Sequence, residues 1–140
     1  MAEVLHERGV VDTSVVIDLD RIDRAELPGE LAISAVTLAE LAAGPHAATN
    51  DAERARRQDR LQRTEATFEP LPLDAGAARA FGRVYAAVAA RGRKARGRRA
   101  LDLLIAATAL GANLPLYTRN PDDFKALEGL LEIEAVNLSG

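Results

Sequence analysis

Gly9-Val10-Val11-Asp12-Thr13-Ser14-Val15-Val16-Ile17-Asp18 is the stretch from which the rest of the chain can be read. Gly9-Val10-Val11 is short and β-branched, the pattern of a buried strand, and it stops at Asp12. Val15-Val16-Ile17 resumes after two polar residues, and there the chain turns into a short helix. A strand that ends in an aspartate places a carboxylate where open α/β sheets keep their ligand crevice, at the carboxyl ends of the strands. Asp is also a favoured helix cap, so Asp12 has a structural reading beside the functional one.

Outward from this point, strands and helices alternate. Leu31-Ala32-Ile33-Ser34 predicts a second strand, with Ser34 capping a helix from Val36 to Ala43 that Gly44-Pro45 ends. Asn50 to Thr67 predicts a charged, solvated helical arm. Phe68 to Leu73 predicts a third strand, weakened by Pro70 and Pro72. Asp74 caps a helix whose apolar face runs through Ala78, Phe81, Tyr85 and Val88. Leu101 to Leu110 is apolar almost all round and predicts a buried helix. Leu114 to Thr118 and Leu131 to Val136 complete the strands, with the turn Asn120-Pro121-Asp122-Asp123 after the first of them. The alternation predicts a mainly parallel sheet flanked by helices, in a single domain spanning residues 1–140.

The 140 residues are 48% hydrophobic, enough for one core, and the net charge of -3 does not announce a nucleic-acid binder. The bases instead gather between Arg91 and Arg99. With 0 cysteines there is no disulfide, thiolate metal site or cysteine nucleophile. No apolar run approaches the ~18 residues of a membrane span, and Met1 to Gly9 lacks the apolar core of a signal peptide. A cytoplasmic location is expected, with no membrane association. His6 and His46 have no ligand-like company in the sequence and read as surface residues.

Four acids stand out by context. Asp12 ends a strand. Glu40 lies in the apolar run Val36-Thr37-Leu38-Ala39-Glu40-Leu41, where a lone buried carboxylate needs a cation, a donor or a proton; a wet stripe on the helix is the alternative. Asp102 opens the most apolar helix, where the helix N-terminus alone would favour an acid. Asp122 follows a strand, in a natural turn sequence. Converging at one sheet edge, such carboxylates repel one another, and Mg²⁺ or Mn²⁺ relieves the repulsion. Oxygen donors without Cys select those ions over zinc.

Taken in order, these segments resemble a known family. Val11 to Asp18 is similar to the opening motif of PIN domains. Ile33 to Leu41 is similar to the second, with Glu40 at the acidic position, and Ala100 to Ala109 to the third, with Asp102. Leu116 to Phe124 is similar to the fourth. Chain length and the last two motifs resemble the VapC toxins in particular. Many relatives carry Asp at the position of Asn120, so here Asn120 or Asp122 stands as the fourth ligand.

The resemblance implies a three-layer α/β/α PIN-like fold and a Mg²⁺- or Mn²⁺-dependent endoribonuclease, the toxin of a toxin–antitoxin pair. It also implies a homodimer, a VapB-type antitoxin, and an RNA substrate of the tRNA or rRNA kind cut to a 5′-phosphate and a 3′-hydroxyl. Asp12 and Asp102 are then the main metal ligands. Glu40 and Asp122 bind through water or orient the attacking water, and Thr13, Ser14 and Thr118 hydrogen-bond near the site. Arg93, Lys94, Arg96, Arg98 and Arg99 are expected to hold RNA phosphates. The alternative is a non-catalytic PIN-like module that binds RNA or a protein. An aspartyl phosphatase would want a second Asp where Ser14 stands.

Overall fold

The computed structural model describes residues 5–93 and 96–139. Four strands, β1 (Arg8–Val11), β2 (Glu30–Ala32), β3 (Leu116–Thr118) and β4 (Ile133–Ala135), form one sheet in the order β2-β1-β3-β4. Every pairing is parallel, with Val10 opposite Ala32 and Leu116, and Tyr117 opposite Val11 and Glu134. The helices are α1 (Thr13–Ile17), α2 (Ala35–Ala47), α3 (Asp51–Thr67), α4 (Ala75–Ala90) and α5 (Arg98–Gly111). The expected α/β architecture with a parallel sheet is what the chain adopts.

Two apolar cores divide along the strand period of two. Val10, Ala32 and Leu116 face α4 and α5, in a core with Val84, Val88, Leu103 and Phe124. Val11, Ile33 and Tyr117 face the other way, against Val15, Val16, Leu41 and the flank of α3 at Leu61. The central strands β1 and β3 are buried on both faces and read as continuous apolar runs, while the edge strands β2 and β4 carry Glu30 and Glu134 and stay partly exposed.

The strand order reverses direction at β1. The chain leaves β1 for β2 on one side and returns to β3 on the other, which opens a crevice at the carboxyl ends of β1 and β3. Asp12 follows β1 and hydrogen-bonds through its backbone N–H to the Tyr117 carbonyl at 3.0 Å. The segment after β3 is thereby held against the start of α1.

Several boundaries differ from the sequence reading. α2 does not stop at Gly44-Pro45 but continues to Ala47. Pro45 lies in the last turn, and Arg57 of α3 donates to the Gly44 carbonyl at 2.9 Å, supplying a donor from outside the helix. Phe68–Leu73 forms no strand among the described residues. It contributes one parallel bridge, Ser34 to Leu71, because Pro70 and Pro72 on either side have no N–H to extend a ladder. The buried stripe of α4 is Ala77, Ala80, Val84 and Val88, while Tyr85 is 54% exposed. Three of the four positions shift by one residue, with Ala77, Ala80 and Val84 buried where Ala78, Phe81 and Tyr85 were expected; Phe81 is half-buried and still packs against this core. α5 begins at Arg98, so Asp102 is past its first turn, and Leu101 faces solvent. No described helix is long and apolar enough to cross a membrane.

Candidate active site

Asp12, the residue after β1, caps α1. Its Oδ1 accepts from the Val15 N–H at 3.2 Å and from the Ser14 hydroxyl at 2.6 Å. Ser14 Oγ in turn accepts from the Arg119 N–H at 3.2 Å, tying the cap to the loop after β3. Asp12 is only 4% exposed. Burial raises its pKa, and bonds from Ser14, Thr118 and the backbone act the other way.

Glu40 projects from the second turn of α2 and is half-buried. The buried Thr13 hydroxyl lies 2.8 Å from Glu40 Oε1 and donates to it. The Thr13 and Thr37 hydroxyls are 3.0 Å apart. Glu40 thus has the donor its apolar helix requires, and the wet-stripe alternative describes only part of its environment.

Asp102 projects from α5 toward both of these acids. Its pKa rises from 3.8 to about 6, first by burial, then by the charges of Glu40, Asp12 and Asp123, with Arg98 opposing. The helix N-terminus does not explain an acid here, since the macrodipole acts within the first turn. Proximity to other carboxylates is the dominant electrostatic fact of this side chain after burial.

These residues line one recess with Thr13, Ser14, Ile17, Asp18, Arg98, Asn120, Asp123 and Phe124. The structure therefore brings Asp12, Glu40, Asp102 and Asn120 together. Asp122 is exposed and is not part of the recess wall; Asp123 is. The reason is local. Pro121–Leu127 is a 3₁₀ segment, in which side chains three apart eclipse one another. Asn120 and Asp123 are three apart, joined by an Asp123 N–H to Asn120 carbonyl bond of 3.0 Å, and share a side that Asp122 does not. Proline straight after Asn120 is the sequence signal for this turn. Asp18 is a further acid to which the sequence pattern assigns no role, and the Arg119 guanidinium pairs with it. Thr118 Oγ1 accepts from the Asn120 N–H at 3.0 Å and helps orient that residue.

The basic stretch reaches the recess through Arg98, which is exposed at its rim. Arg99 instead donates to the Asp123 carbonyl at 3.0 Å and holds the 3₁₀ segment against α5. Arg93 and Arg96 are exposed. Lys94 lies outside the described residues.

The donor set fits a hard divalent cation. Carboxylates of Asp12, Glu40, Asp102 and Asp123, with the Asn120 amide, are oxygen donors around one open recess, and no His or Cys is among its lining residues. The raised pKa of Asp102 reflects burial first and then the repulsion from neighbouring carboxylates that such a cation relieves.

A PIN-domain family model matches residues 9–130. Ribonuclease VapC5 of Mycobacterium tuberculosis (strain ATCC 25618 / H37Rv) is 40% identical over 133 residues, covering 93% of this chain and 95% of that protein. The crystal structure of VapBC-5 from Mycobacterium tuberculosis, a member of the VapBC family of toxin-antitoxin systems, superposes with a TM-score of 0.79. It has 41% sequence identity and covers 94% of this chain and 99% of that one. VapBC2 from Rickettsia felis, solved bound to a DNA fragment from their promoter, has the same fold at 22% identity. Its TM-score is 0.74, with 93% and 99% of the two chains covered. Motifs, topology and these likenesses agree, and the chain belongs to the PIN-domain family, in its VapC branch.

Proposed function

We propose that the chain is the ribonuclease toxin of a toxin–antitoxin pair and hydrolyses RNA phosphodiesters with Mg²⁺ or Mn²⁺. The observation that carries this is the meeting of Asp12, Glu40, Asp102 and Asp123 at the strand-order reversal, beside the rim cation Arg98. The likeness to Ribonuclease VapC5 supports RNA as substrate, and the VapBC complexes support a VapB-type antitoxin as partner. A homodimer and a cytoplasmic location complete the proposal.

Asp12 and Asp102 would be the principal ligands, with Glu40, Asp123 and Asn120 completing the shell directly or through water. A bound divalent ion supplies charge neutralisation for the phosphorane oxygens and lowers the pKa of a water. The protein's own groups do the rest. Ser14 and the Val15 N–H fix the Asp12 carboxylate. Thr13 fixes Glu40, which would accept a hydrogen bond from the attacking water. Arg98 at the rim binds a phosphate of the incoming strand.

The test is cleavage of a mixed tRNA and rRNA pool with Mg²⁺, with EDTA, and by Asp12→Asn and Asp102→Asn proteins. Metal-dependent cutting that both substitutions abolish is the expected result. A folded, antitoxin-free protein that binds RNA without cutting it would overturn the enzyme reading in favour of a binding module.

A further inference from the structure

A second group of potential ligands lies at the other end of the strands. His6 precedes β1 by two residues and Asp12 follows it, so roughly 20 Å of extended chain separates the group from the recess. His6 Nε2 is 2.8 Å from Glu134 Oε2 and 2.9 Å from Glu132 Oε2. The three atoms lie within 4.8 Å of one another. His6 is thus not a companionless surface residue: parallel pairing through β3 brings β4 to it across 128 positions of sequence. One N–H has one direction. The contact with Glu134 has hydrogen-bond geometry, and the Glu132 oxygen is a second close acceptor on the same nitrogen.

Tyr117 adds an independent observation. Its ring meets the His6 ring edge-on, with centroids 6.1 Å apart. The residue is 2% exposed, and its hydroxyl has no hydrogen-bond partner. Burial, then Glu134, then Glu132 push its phenol above the usual range, so the hydroxyl lies within the field of both carboxylates. A His6 N–H shared between two glutamates would account for the imidazole but leaves this buried hydroxyl unpaired, a costly state. A hollow lined by His6, Asn113, Pro115 and Glu132 gives access from solvent.

We propose that His6, Glu132 and Glu134 form a second divalent-cation site, of the zinc class, with the Tyr117 hydroxyl bonding a ligated carboxylate or water. An imidazole nitrogen and two carboxylate oxygens are donor types that zinc accepts, and three protein ligands leave its fourth position to water. Zinc bonds of about 2.0–2.2 Å set donor atoms roughly 3.4 Å apart, so the His6 contacts need to open by about half an ångström. Glu132, whose side chain is 70% exposed, is free to give that space. Occupancy would staple the lead-in to β1 onto the edge strand β4. The site lies at the opposite end of the strands from the acidic recess and does not depend on the nuclease reading.

The experiment uses the full chain carrying Asp12→Asn and Asp102→Asn, which weakens the acidic recess as a competitor. Titration with Zn²⁺ by calorimetry should show one ion per chain, and Zn²⁺ should raise the melting temperature. Adding His6→Gln or Glu134→Gln should weaken binding at least tenfold and remove the visible absorption of a Co²⁺ complex. Anomalous diffraction from Zn²⁺-soaked crystals of the unsubstituted protein should place a peak at His6, which keeps the test independent of how the variants fold. No saturable Zn²⁺ binding, binding indifferent to both substitutions, or no anomalous peak at His6 would each overturn the proposal.

Discussion

Asp102→Asn should stabilise the metal-free protein at neutral pH. The carboxyl has a folded-state pKa of about 6 against 3.8 for the free side chain. A pKa raised on folding means the native state binds the proton more tightly. That contribution to stability is fully present below 3.8 and is lost as pH rises through about 6. At about 1.4 kcal/mol per unit the fully buried limit is near 3 kcal/mol. The recess is open on one side, and solvent screening brings the expected effect to about 1–2 kcal/mol. Asparagine carries no charge at any pH in this range, so it escapes the loss.

Urea denaturation in EDTA between pH 4 and 7.5 measures this directly. The substituted protein should match the wild type near pH 4 and exceed it by about 1–2 kcal/mol at pH 7.5, a melting difference of roughly 3–6 °C for a chain of this size. Mg²⁺ should then reverse the ranking, because the cation stabilises only the protein that can hold it. If the two proteins show parallel pH profiles in EDTA, the carboxylates do not repel one another as argued, and the case for a shared cation weakens with them.

Other substitutions probe separate links. Asp123→Asn should lower metal-dependent cleavage about tenfold or more, while Asp122→Asn stays within about twofold, since only Asp123 lines the recess; the reverse order in a single-turnover assay would restore Asp122. Ser14→Ala removes a bond that favours the charged form of Asp12, so the acid limb of the pH–rate profile should move to higher pH. An unmoved limb would show that Asp12 is not the group being titrated. Arg98→Ala should reduce the slope of log RNA affinity against log salt by about one contact, and an unchanged slope in filter binding would put Arg98 outside the RNA path. Gly9→Ala sets a Cβ 2.7 Å from the buried Tyr117 ring and should cost about 1–3 kcal/mol in thermal unfolding; a neutral result would mean the ring has room to shift.

What is legible in the sequence follows from how far each signal reaches. Gly9 to Asp12, Glu40 and Asp102 are readable because each acid interrupts or ends an apolar run, and the core sets that pattern locally. The charged arm at α3 and the Asp74 cap are readable because a solvated helix surface and a capping side chain are also local signals. Pro45 misleads because its cost depends on where the helix ends, and Arg57, on another helix, supports that end. Asp122 draws attention away from Asp123 because turn chemistry specifies that a turn forms, not which side chain it aims. His6 shows no company in the sequence because its partners are strands away; only the register of β3 against β4 brings Glu134 level with Tyr117.

Asp12 shows why cap and ligand are not competing readings of one residue. A carboxylate in a site needs a fixed direction, and Asp12 gets it from the bonds that start α1. Those bonds fall on Oδ1 and hold the group in the buried wall of the recess. Burial works against its charge, and the capping bonds work for it. One set of contacts therefore starts the helix and offsets part of the cost of charging the buried acid. The same economy holds for Thr13, whose hydroxyl sits in α1 yet orients Glu40 on α2. A short helix of five residues contributes little stability alone. Its place between the two acids accounts for its presence: it ties the strand end to α2, and a looser connection would let the carboxylates drift apart and relieve their repulsion without a metal.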